Sequence, residues 1–413
     1  MLQFAKHIYH YFRALWYILL LKPPAVKGKK IILVINHFFD QDIAALKAAE
    51  DESSVHFFVI EPQKLFAPII STFPHEIKFA SIPYDDPTQT KNRRKASKIS
   101  RYILKILLSK IPFDLILTPS DLYYWLREFI HTAKNQEIET IVLDKEGIIS
   151  PHYYFHHAEK IKNLFPPISD QFIVWSDRQK SFWENVGISS SLIKVIGQPR
   201  SDLLFTLKKQ DLGLFEDESR HQVLFFTYFE NAYITPELEK EKGLSWRELR
   251  SSTHSQIKKL AELYPTTHFI VKCHPQQLDI DKIESFFAGV KNVIVLAGAE
   301  SSNQLLINSS LVVGFQSTAL IESIVLRKPT IYTFYTSDVK AFKEGILPFH
   351  EFDVFDIVQS ETQLFDRISA YISSEFKSIP NEKSRNELLK LYFNDPDGDT
   401  GKKVISYLES ILK

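Results

Sequence analysis

The sequence predicts an α/β protein made of two Rossmann-like domains, each built around a parallel sheet. Its 413 residues are too many for one ordinary hydrophobic core and fit two domains of roughly 150 to 200 residues. Short β-branched runs alternate with helical stretches, and these runs are continuously apolar, as strands buried on both faces are. Such sheets bind ligands at the carboxyl ends of their strands, so functional residues are expected there.

The predicted strands fall into two series. The first contains the runs 31–35, 55–60, 115–117, 140–143, 172–175 and 193–196. A polar stretch from Lys208 to Gln222 precedes the second series, which contains the runs 223–226, 268–271, 293–296, 311–313 and 330–332. We therefore predict an N-terminal domain over 30–207 and a C-terminal domain over 208–390.

Residues 1–29 are predicted to form an amphipathic helix followed by a basic segment. Apolar side chains recur at helical spacing from Ile8 to Leu20, beside a polar stripe. The uninterrupted apolar run, 14–21, is too short to cross a bilayer, and no signal cleavage site follows it. The aromatic face suits a helix lying peripherally on the inner face of the cytoplasmic membrane, where anionic lipid would attract Lys22, Lys27, Lys29 and Lys30. A helix packed on the protein's own core is the alternative.

Composition excludes several classes of protein. Lysine plus arginine equals aspartate plus glutamate at 50 each, so no overall positive field favours nucleic acid as a partner. The single cysteine, Cys273, cannot form an internal disulfide, and no Cys/His set has zinc spacing, which fits a cytoplasmic protein without a metal. Neither a G-x-G-x-x-G nor a Walker motif occurs, which argues against dinucleotide oxidoreductases and P-loop ATPases. No cofactor is expected.

A His-Pro pair follows a predicted strand of the second series. Pro275 keeps His274 out of the helical conformation and ends the strand, which would hold the imidazole at the ligand-binding edge. With Lys272, it could neutralise charge on a departing nucleoside phosphate. A histidine bonded to a carbonyl at a strand end is the structural alternative.

Two acids follow a predicted strand of the first series, in the order Asp144-Lys145-Glu146-Gly147. In an extended segment the two carboxylates would share one side, and Gly147 would permit a sharp exit that leaves both exposed. One of them, Asp144 or Glu146, could accept a hydroxyl proton, with Lys145 able to keep it ionised. An ordinary acidic turn is the alternative.

A third motif, Gln316-Ser317-Thr318, lies between a strand and a helix that carries Glu322. Ser317 or Thr318 would cap the helix, whose free N–H groups can hold a phosphate without metal. Glu322, one turn further, could accept hydrogen bonds from a ribose diol. Capping alone, with Glu322 on the surface, is the alternative.

The order of the motifs resembles bacterial surface-carbohydrate transferases. The order comprises Asp-x-Glu-Gly, a Gly-x-Pro-Arg-x-Asp segment that contains Arg200, His-Pro, Gln-Ser-Thr-x-x-x-Glu and a late Asp-Gly followed by two lysines. The families compared are the capsule and O-antigen glycosyltransferases, the polysialyl- and Kdo transferases, and the CDP-glycerol glycerophosphotransferases. These families imply a GT-B fold, with a cleft between the two domains, and transfer without metal.

The resemblance also implies roles. The N-terminal domain would bind a glycan or lipid-linked acceptor, the C-terminal domain a CMP-, CDP- or UDP-linked donor, and residues 391–413 would form a helix that returns to the first domain. An acid of Asp144-Lys145-Glu146-Gly147 would be the base; the donor ligands would be Lys272, His274, Pro275, Gln316, Ser317, Thr318 and Glu322. We expect a nucleotide-sugar glycosyltransferase that builds capsule, O-antigen or lipopolysaccharide. The alternatives are a polyol-phosphate transferase that uses CDP-glycerol or CDP-ribitol, and a catalytically silent GT-B protein that binds glycan or an assembly partner.

Overall fold

The computed structural model describes residues 2–74, 77, 82–147, 151–215, 221–228, 246–274, 277–298, 301–335, 347–374 and 381–413, with the backbone alone at 2–8, 151–153 and 246. Contacts within the chain define two compact units. The first comprises Met1–Gly147, Tyr154–Asp202 and Leu391–Lys413, and the second comprises Ile148–Tyr153 and Leu203–Lys390. The change from the first unit to the second thus falls at Leu203, a few residues before the polar stretch.

The first unit contains a six-stranded parallel sheet. Its strands are β1 (Lys30–Ile35), β2 (Val55–Ile60), β3 (Leu115–Thr118), β4 (Glu139–Leu143), β5 (Gln171–Val174) and β6 (Ile193–Val195). Its helices are α1 (Leu2–Leu20), α2 (Asp40–Ala48), α3 (Pro62–Leu65), α4 (Ala67–Ile70), α5 (Thr90–Lys110), α6 (Tyr124–Lys134), α7 (Pro151–Leu164) and α8 (Asp177–Val186).

The strand order of this sheet is β2-β1-β3-β4-β5-β6. The chain passes from β1 outward to β2 and then returns to β3 on the other side of β1, so the direction of winding reverses between β1 and β3. Open parallel sheets bind their ligands at such a switch point. The loops after β1 and β3 are therefore the places where this unit can hold a ligand.

The second unit contains another six-stranded parallel sheet. Its strands are β7 (Gln222–Phe226), β8 (His268–Lys272), β9 (Val293–Leu296), β10 (Leu311–Gly314), β11 (Thr330–Thr333) and β12 (Asp356–Val358). Its helices are α9 (Leu203–Thr206), α10 (Trp246–Leu263), α11 (Ile280–Phe287), α12 (Ser302–Asn308), α13 (Thr318–Val325) and α14 (Glu361–Ile372); α15 (Glu382–Phe393) then leads out of the unit. The order β12-β11-β10-β7-β8-β9 has its switch point between β7 and β10.

The two sheets confirm the predicted pair of Rossmann-like folds. All eleven predicted runs form strands, and β12, which was not predicted, extends the second sheet at its edge. β12 has only three residues, and two of them are half-buried, so its sequence lacks the continuous apolar run of the inner strands.

Helix α1 packs on the first unit with one face and leaves a second apolar face exposed. Ala14 and Ile18 are buried, and the helix packs on α3, α4 and α5 of the first unit. The opposite face is apolar but exposed, at 61 to 67% of each side chain's full accessibility, and consists of Tyr9, Phe12, Trp16, Leu19 and Leu20. Among the described residues, no helix is long and apolar enough to cross a bilayer.

The last helix, α16 (Thr400–Ile411), belongs to the first unit and packs on α2. Val404, Ile405 and Leu408 are part of the core beneath the first sheet. The carboxylate of Asp202 accepts hydrogen bonds from the backbone N–H groups of Thr400 (3.1 Å) and Gly401 (2.6 Å) and so caps the helix. The Gly-x-Pro-Arg-x-Asp motif and the segment after the late Asp-Gly are therefore hydrogen-bonded to each other, and this contact fixes the start of α16 in the first unit.

Candidate functional site

In the second unit, the predicted donor residues lie at the carboxyl ends of β8 and β10. β7 separates these two strands, which are therefore about 10 Å apart across the sheet. Between them, at the end of β7, the ring of Tyr228 packs against that of Phe315, with centroids 5.4 Å apart. The switch point of this sheet thus brings His274 and the Gln316-Ser317-Thr318 segment to one edge.

His274 is exposed just after β8. Its backbone N–H donates to Oε1 of Gln277 (3.1 Å), and its carbonyl accepts from the backbone N–H of Gln277 (2.9 Å). Gln277 is buried and also donates to the carbonyl of Tyr228 (3.5 Å), after the end of β7. These bonds hold the backbone of His274 at the edge, where its side chain is exposed. Pro275, the predicted neighbour, lies outside the described residues.

Lys272, another predicted donor ligand, is buried beneath this edge. It is only 2% exposed, and its ammonium donates to the carbonyl of Cys273 (3.0 Å) and to that of Ala297 (3.3 Å), after β9. The side chain is directed into the protein because it satisfies these carbonyls at the strand ends. Its charge therefore lies just below the edge.

Gln316 organises its loop rather than facing outward. It adopts a left-handed backbone (φ 47°), and its buried side chain accepts from the N–H of Leu347 (2.6 Å) and donates to the Tyr332 hydroxyl (2.5 Å). Ser317 is the N-cap of α13, as predicted, and its hydroxyl accepts from the N–H of Ala319 (3.3 Å). Thr318 begins the helix and is half-buried, whereas Glu322 is buried, not on the surface.

In the first unit, the two predicted acids have opposite environments. Asp144 is 5% exposed; Oδ2 accepts from Nε1 of Trp183 (2.6 Å), and Oδ1 accepts from the N–H of Glu146 (3.1 Å). Burial raises the pKa of Asp144 to about 7, even though these hydrogen bonds oppose the rise. The expectation that both acids are exposed is wrong for Asp144, because α8 covers it. Glu146 has 77% of its side chain exposed.

Gly147 is required for close packing rather than for a sharp turn. Its backbone is not left-handed, and a Cβ at this position would overlap the ring of Trp175, which follows β5. Arg200 lies over the same ring, 4.8 Å from its centroid, and its guanidinium is 3.9 Å from Oδ2 of buried Asp42. The residues after β4, β5 and β6 therefore pack into one continuous edge.

Sequence reasoning missed the aromatic group at the switch point of the first unit. His37, after β1, contacts Tyr123 (centroids 4.7 Å apart) and Trp125 (5.6 Å), which follow β3. Phe38 is 67% exposed, with its ring 4.6 Å from that of His37. Burial, together with the charge of nearby Lys145, lowers the pKa of His37 to about 4, so the imidazole is neutral at pH 7. Only the strand order, which no local pattern encodes, brings these residues together.

Comparison with known proteins decides the family. A family model described as CDP-glycerol:poly(glycerophosphate) glycerophosphotransferase matches residues 143–410, well over half of the chain. The chain belongs to this family. The match begins at the last residue of β4 and includes Glu146, His274 and Ser317. Membership confirms the predicted relationship and makes the chain a transferase that uses a nucleotide-activated donor. No curated protein matches it significantly.

Solved structures show the same fold at low sequence identity. UDP-GlcNAc 2-epimerase from Neisseria meningitidis, bound to UDP-GlcNAc, is 14% identical, with coverage of 92% of this chain and 100% of that chain and a TM-score of 0.54. The epimerase from Methanocaldococcus jannaschii is 15% identical, with coverage of 92% and 99% and a TM-score of 0.57. The wall teichoic acid polymerase TagF, a histidine-to-asparagine variant with CDPG, is 11% identical, with coverage of 99% and 97% and a TM-score of 0.52. The GT-B-like fold is thereby confirmed.

The family match changes the order of the functional alternatives. We expected a sugar donor and kept polyol-phosphate transfer as the alternative, and the matching family is named for transfer of glycerophosphate. The expected capsule or O-antigen glycosyltransferase agrees with this only at the level of a nucleotide-dependent transferase.

Proposed function

We propose that this protein transfers a polyol phosphate from a CDP-linked polyol to a hydroxyl group of a glycan or lipid-linked acceptor, and so builds a bacterial surface polymer. The match of the glycerophosphotransferase family over residues 143–410 is the observation that carries the proposal. The matched residues include Glu146, the exposed acid of the first unit, and His274 at the sheet edge of the second unit.

The reaction has a simple balance. The acceptor hydroxyl oxygen forms a bond to the phosphorus that carries the polyol. The bond from that phosphorus to the oxygen bridging it to the CMP phosphate breaks, and CMP leaves with the electron pair. The hydroxyl proton passes to a base. The protein must therefore supply a base for the acceptor and positive or hydrogen-bonding groups for the departing phosphate.

Glu146 is the better candidate for the base. Its carboxylate is exposed, whereas both oxygens of Asp144 already accept hydrogen bonds inside the protein. Lys145 Nζ lies 3.7 Å from Oε1 of Glu146.

His274 and the N-terminus of α13 are the candidates for the donor. The exposed imidazole of His274 can donate a hydrogen bond to the departing phosphate. Ser317 and Thr318 stand where the helix presents its first N–H groups, which favour an anion. Gln316 and Lys272 support these loops from inside the protein.

We further propose that α1 holds the protein on the inner face of the cytoplasmic membrane. Its exposed apolar face includes Phe12 and Trp16, which can enter the headgroup region. Lys22 and Lys27 are exposed just beyond the helix and can meet anionic lipid. Lys29 and Lys30 contribute less, since they pair with the carbonyl of Glu50 and with Asp114.

The proposal is tested by supplying a panel of possible donors and measuring phosphorus in the product. The protein is incubated with CDP-glycerol, CDP-ribitol and CMP-, CDP- and UDP-linked sugars, together with a glycan acceptor. We expect release of CMP and one phosphorus in the product for each polyol transferred. A product that gains sugar without phosphorus would replace the proposal by glycosyl transfer. If no nucleotide binds at all, the protein is a silent GT-B scaffold.

A further inference from the structure

We propose that the carboxyl edge of the first sheet recognises a phosphate group on the acceptor, with Lys145 as its cationic ligand and Phe38 as the adjoining apolar wall. The inference deepens the proposed function and rests on it, because it specifies what kind of acceptor the first unit takes.

The position of these residues is the first argument. Phe38 follows β1, which borders the switch point between β1 and β3, and Lys145 follows β4, the next strand beyond β3. The Nζ atom of Lys145 lies 5.1 Å from the centre of the Phe38 ring. Loops from both sides of the switch point therefore meet at the place where open parallel sheets hold ligands.

The charge of Lys145 is the second argument. Only 10% of its side chain is exposed, and its three N–H donors have one hydrogen bond among the described residues, a long one to the carbonyl of His37 (3.4 Å). Arg200 adds a second positive charge nearby, which opposes the negative charge that Glu146, Asp144 and Asp42 contribute around Lys145. A buried cation is stable only when anionic or hydrogen-bonding groups compensate for its lost hydration.

Glu146 cannot compensate for Lys145 throughout the reaction. Its carboxylate lies 3.7 Å from Nζ and is exposed. When it accepts the acceptor's proton it becomes neutral, and Lys145 then lacks its nearest anion. A phosphate group on the acceptor would supply the missing charge and would place the neighbouring hydroxyl beside Glu146. Adjacent residues would thus hold the acceptor and activate it.

Phe38 is the third argument. It has φ 54°, a conformation that a bulky residue adopts only under strain, and its ring is held exposed beside that of His37. Such strain concentrates at ligand-binding sites. Tyr123 and Trp125 extend the apolar surface, with stacked rings 5.5 Å apart. The C–H groups of a sugar or polyol can pack on these rings while the phosphate meets Lys145.

Two acceptors share this chemistry: the last phosphodiester of a growing polymer and the diphosphate of a lipid-linked glycan. The kinetic test uses the full chain with a short oligo(polyol phosphate) and with the same polyol lacking phosphate. We expect Lys145→Met to raise KM for the phosphorylated acceptor by about 10- to 100-fold, as for loss of a charged hydrogen bond. KM for the neutral polyol should stay within about twofold, and Lys145→Arg should restore phosphate selectivity.

Lys194→Met is the matched control, because Lys194 also lies near an aromatic ring, 5.8 Å from the centroid of Tyr407, but it is exposed on β6. It should leave both KM values unchanged. Phe38→Ala should raise KM for both acceptors. An equal effect of Lys145→Met on phosphorylated and neutral acceptors would overturn the inference.

A binding measurement separates this inference from the proposed function. Titration of the full chain with pyrophosphate and with a glycerol phosphodiester, without donor, should show binding that Lys145→Met weakens at least about tenfold. Stronger pyrophosphate binding indicates the lipid diphosphate, and stronger diester binding indicates the polymer. If no CDP-linked donor supports transfer, the proposed function fails, yet this titration still tests the site. Equal affinities of the Lys145→Met variant and the wild type would refute it.

Discussion

Nε1 of Trp183 donates a hydrogen bond to Oδ2 of Asp144 at 2.6 Å, and through this contact α8 removes one of two neighbouring acids from solvent. Glu146, two residues later, is left to meet the acceptor. We expect Glu146→Gln to lower turnover by roughly two to four orders of magnitude, as for loss of a general base, with nucleotide affinity unchanged. Asp144→Asn should retain most of its turnover. The reverse pattern in paired turnover and nucleotide-binding assays would make Asp144 the base.

The same burial predicts a pH dependence of stability. The pKa of Asp144 is about 7 in the folded protein, above its unfolded value of about 3.9. The stabilisation associated with the protonated form is therefore full below about pH 4 and is lost as the pH rises toward and through 7. Across this window the free energy of unfolding of the wild type should fall relative to Asp144→Asn, by at most about 4 kcal/mol. Denaturant unfolding at several pH values measures the difference, and parallel curves would contradict it.

His274→Ala should reduce turnover by roughly two to three orders of magnitude, the loss expected for one positioned donor to a charged transition state. The fold should persist because the side chain is exposed. His221→Ala is a suitable control, since His221 is also exposed but precedes β7, at the opposite edge of the same sheet. Near wild-type turnover in His274→Ala would place the donor site elsewhere.

Substitution of Phe12 and Trp16 by glutamate should release the protein from vesicles that contain anionic lipid, because these side chains form the exposed face of α1. Ala14 and Ile18 still pack on the first unit, so the thermal midpoint should hardly change. Tyr102→Glu, at an exposed aromatic of α5, serves as control. Cosedimentation of the double variant at the wild-type level would argue against membrane binding by α1.

Asp202→Ala should destabilise the protein by about 1–2 kcal/mol, because two backbone N–H groups of α16 lose their acceptor. Asp399→Ala provides a stringent comparison: Asp399 occupies the N-cap position, yet its side chain makes no capping hydrogen bond. It should change the free energy of unfolding far less. Equal effects in denaturant titrations would show that the cap contributes nothing.

Local patterns were sufficient to predict the strands and the Ser317 cap, because these depend on apolar runs and on residues adjacent in the chain. They could not predict that Asp144 is buried, since Trp183 is 39 residues away. Likewise, they could not predict that Lys272 donates to the carbonyl of Ala297, which is 25 residues away.

The face of α1 illustrates the same limit. Helical periodicity identified an apolar stripe correctly, but it could not say whether water, lipid or protein meets that stripe. The structure buries Ala14 and Ile18 and leaves Phe12 and Trp16 outside. The aromatic group around His37 required the strand order, which follows from how the whole chain winds.

The position of α16 in the first unit imposes an order on biosynthesis. Val404, Ile405 and Leu408 contribute to the core of a sheet whose first strand begins at Lys30, with the whole second unit encoded between them. While the ribosome is still making residues 203–390, α2 already covers part of one side of that earlier sheet, but the apolar surface that α16 will bury is open to chaperones or to other nascent chains. The second unit can fold as it emerges, whereas the core of the first closes only after α16 has been made.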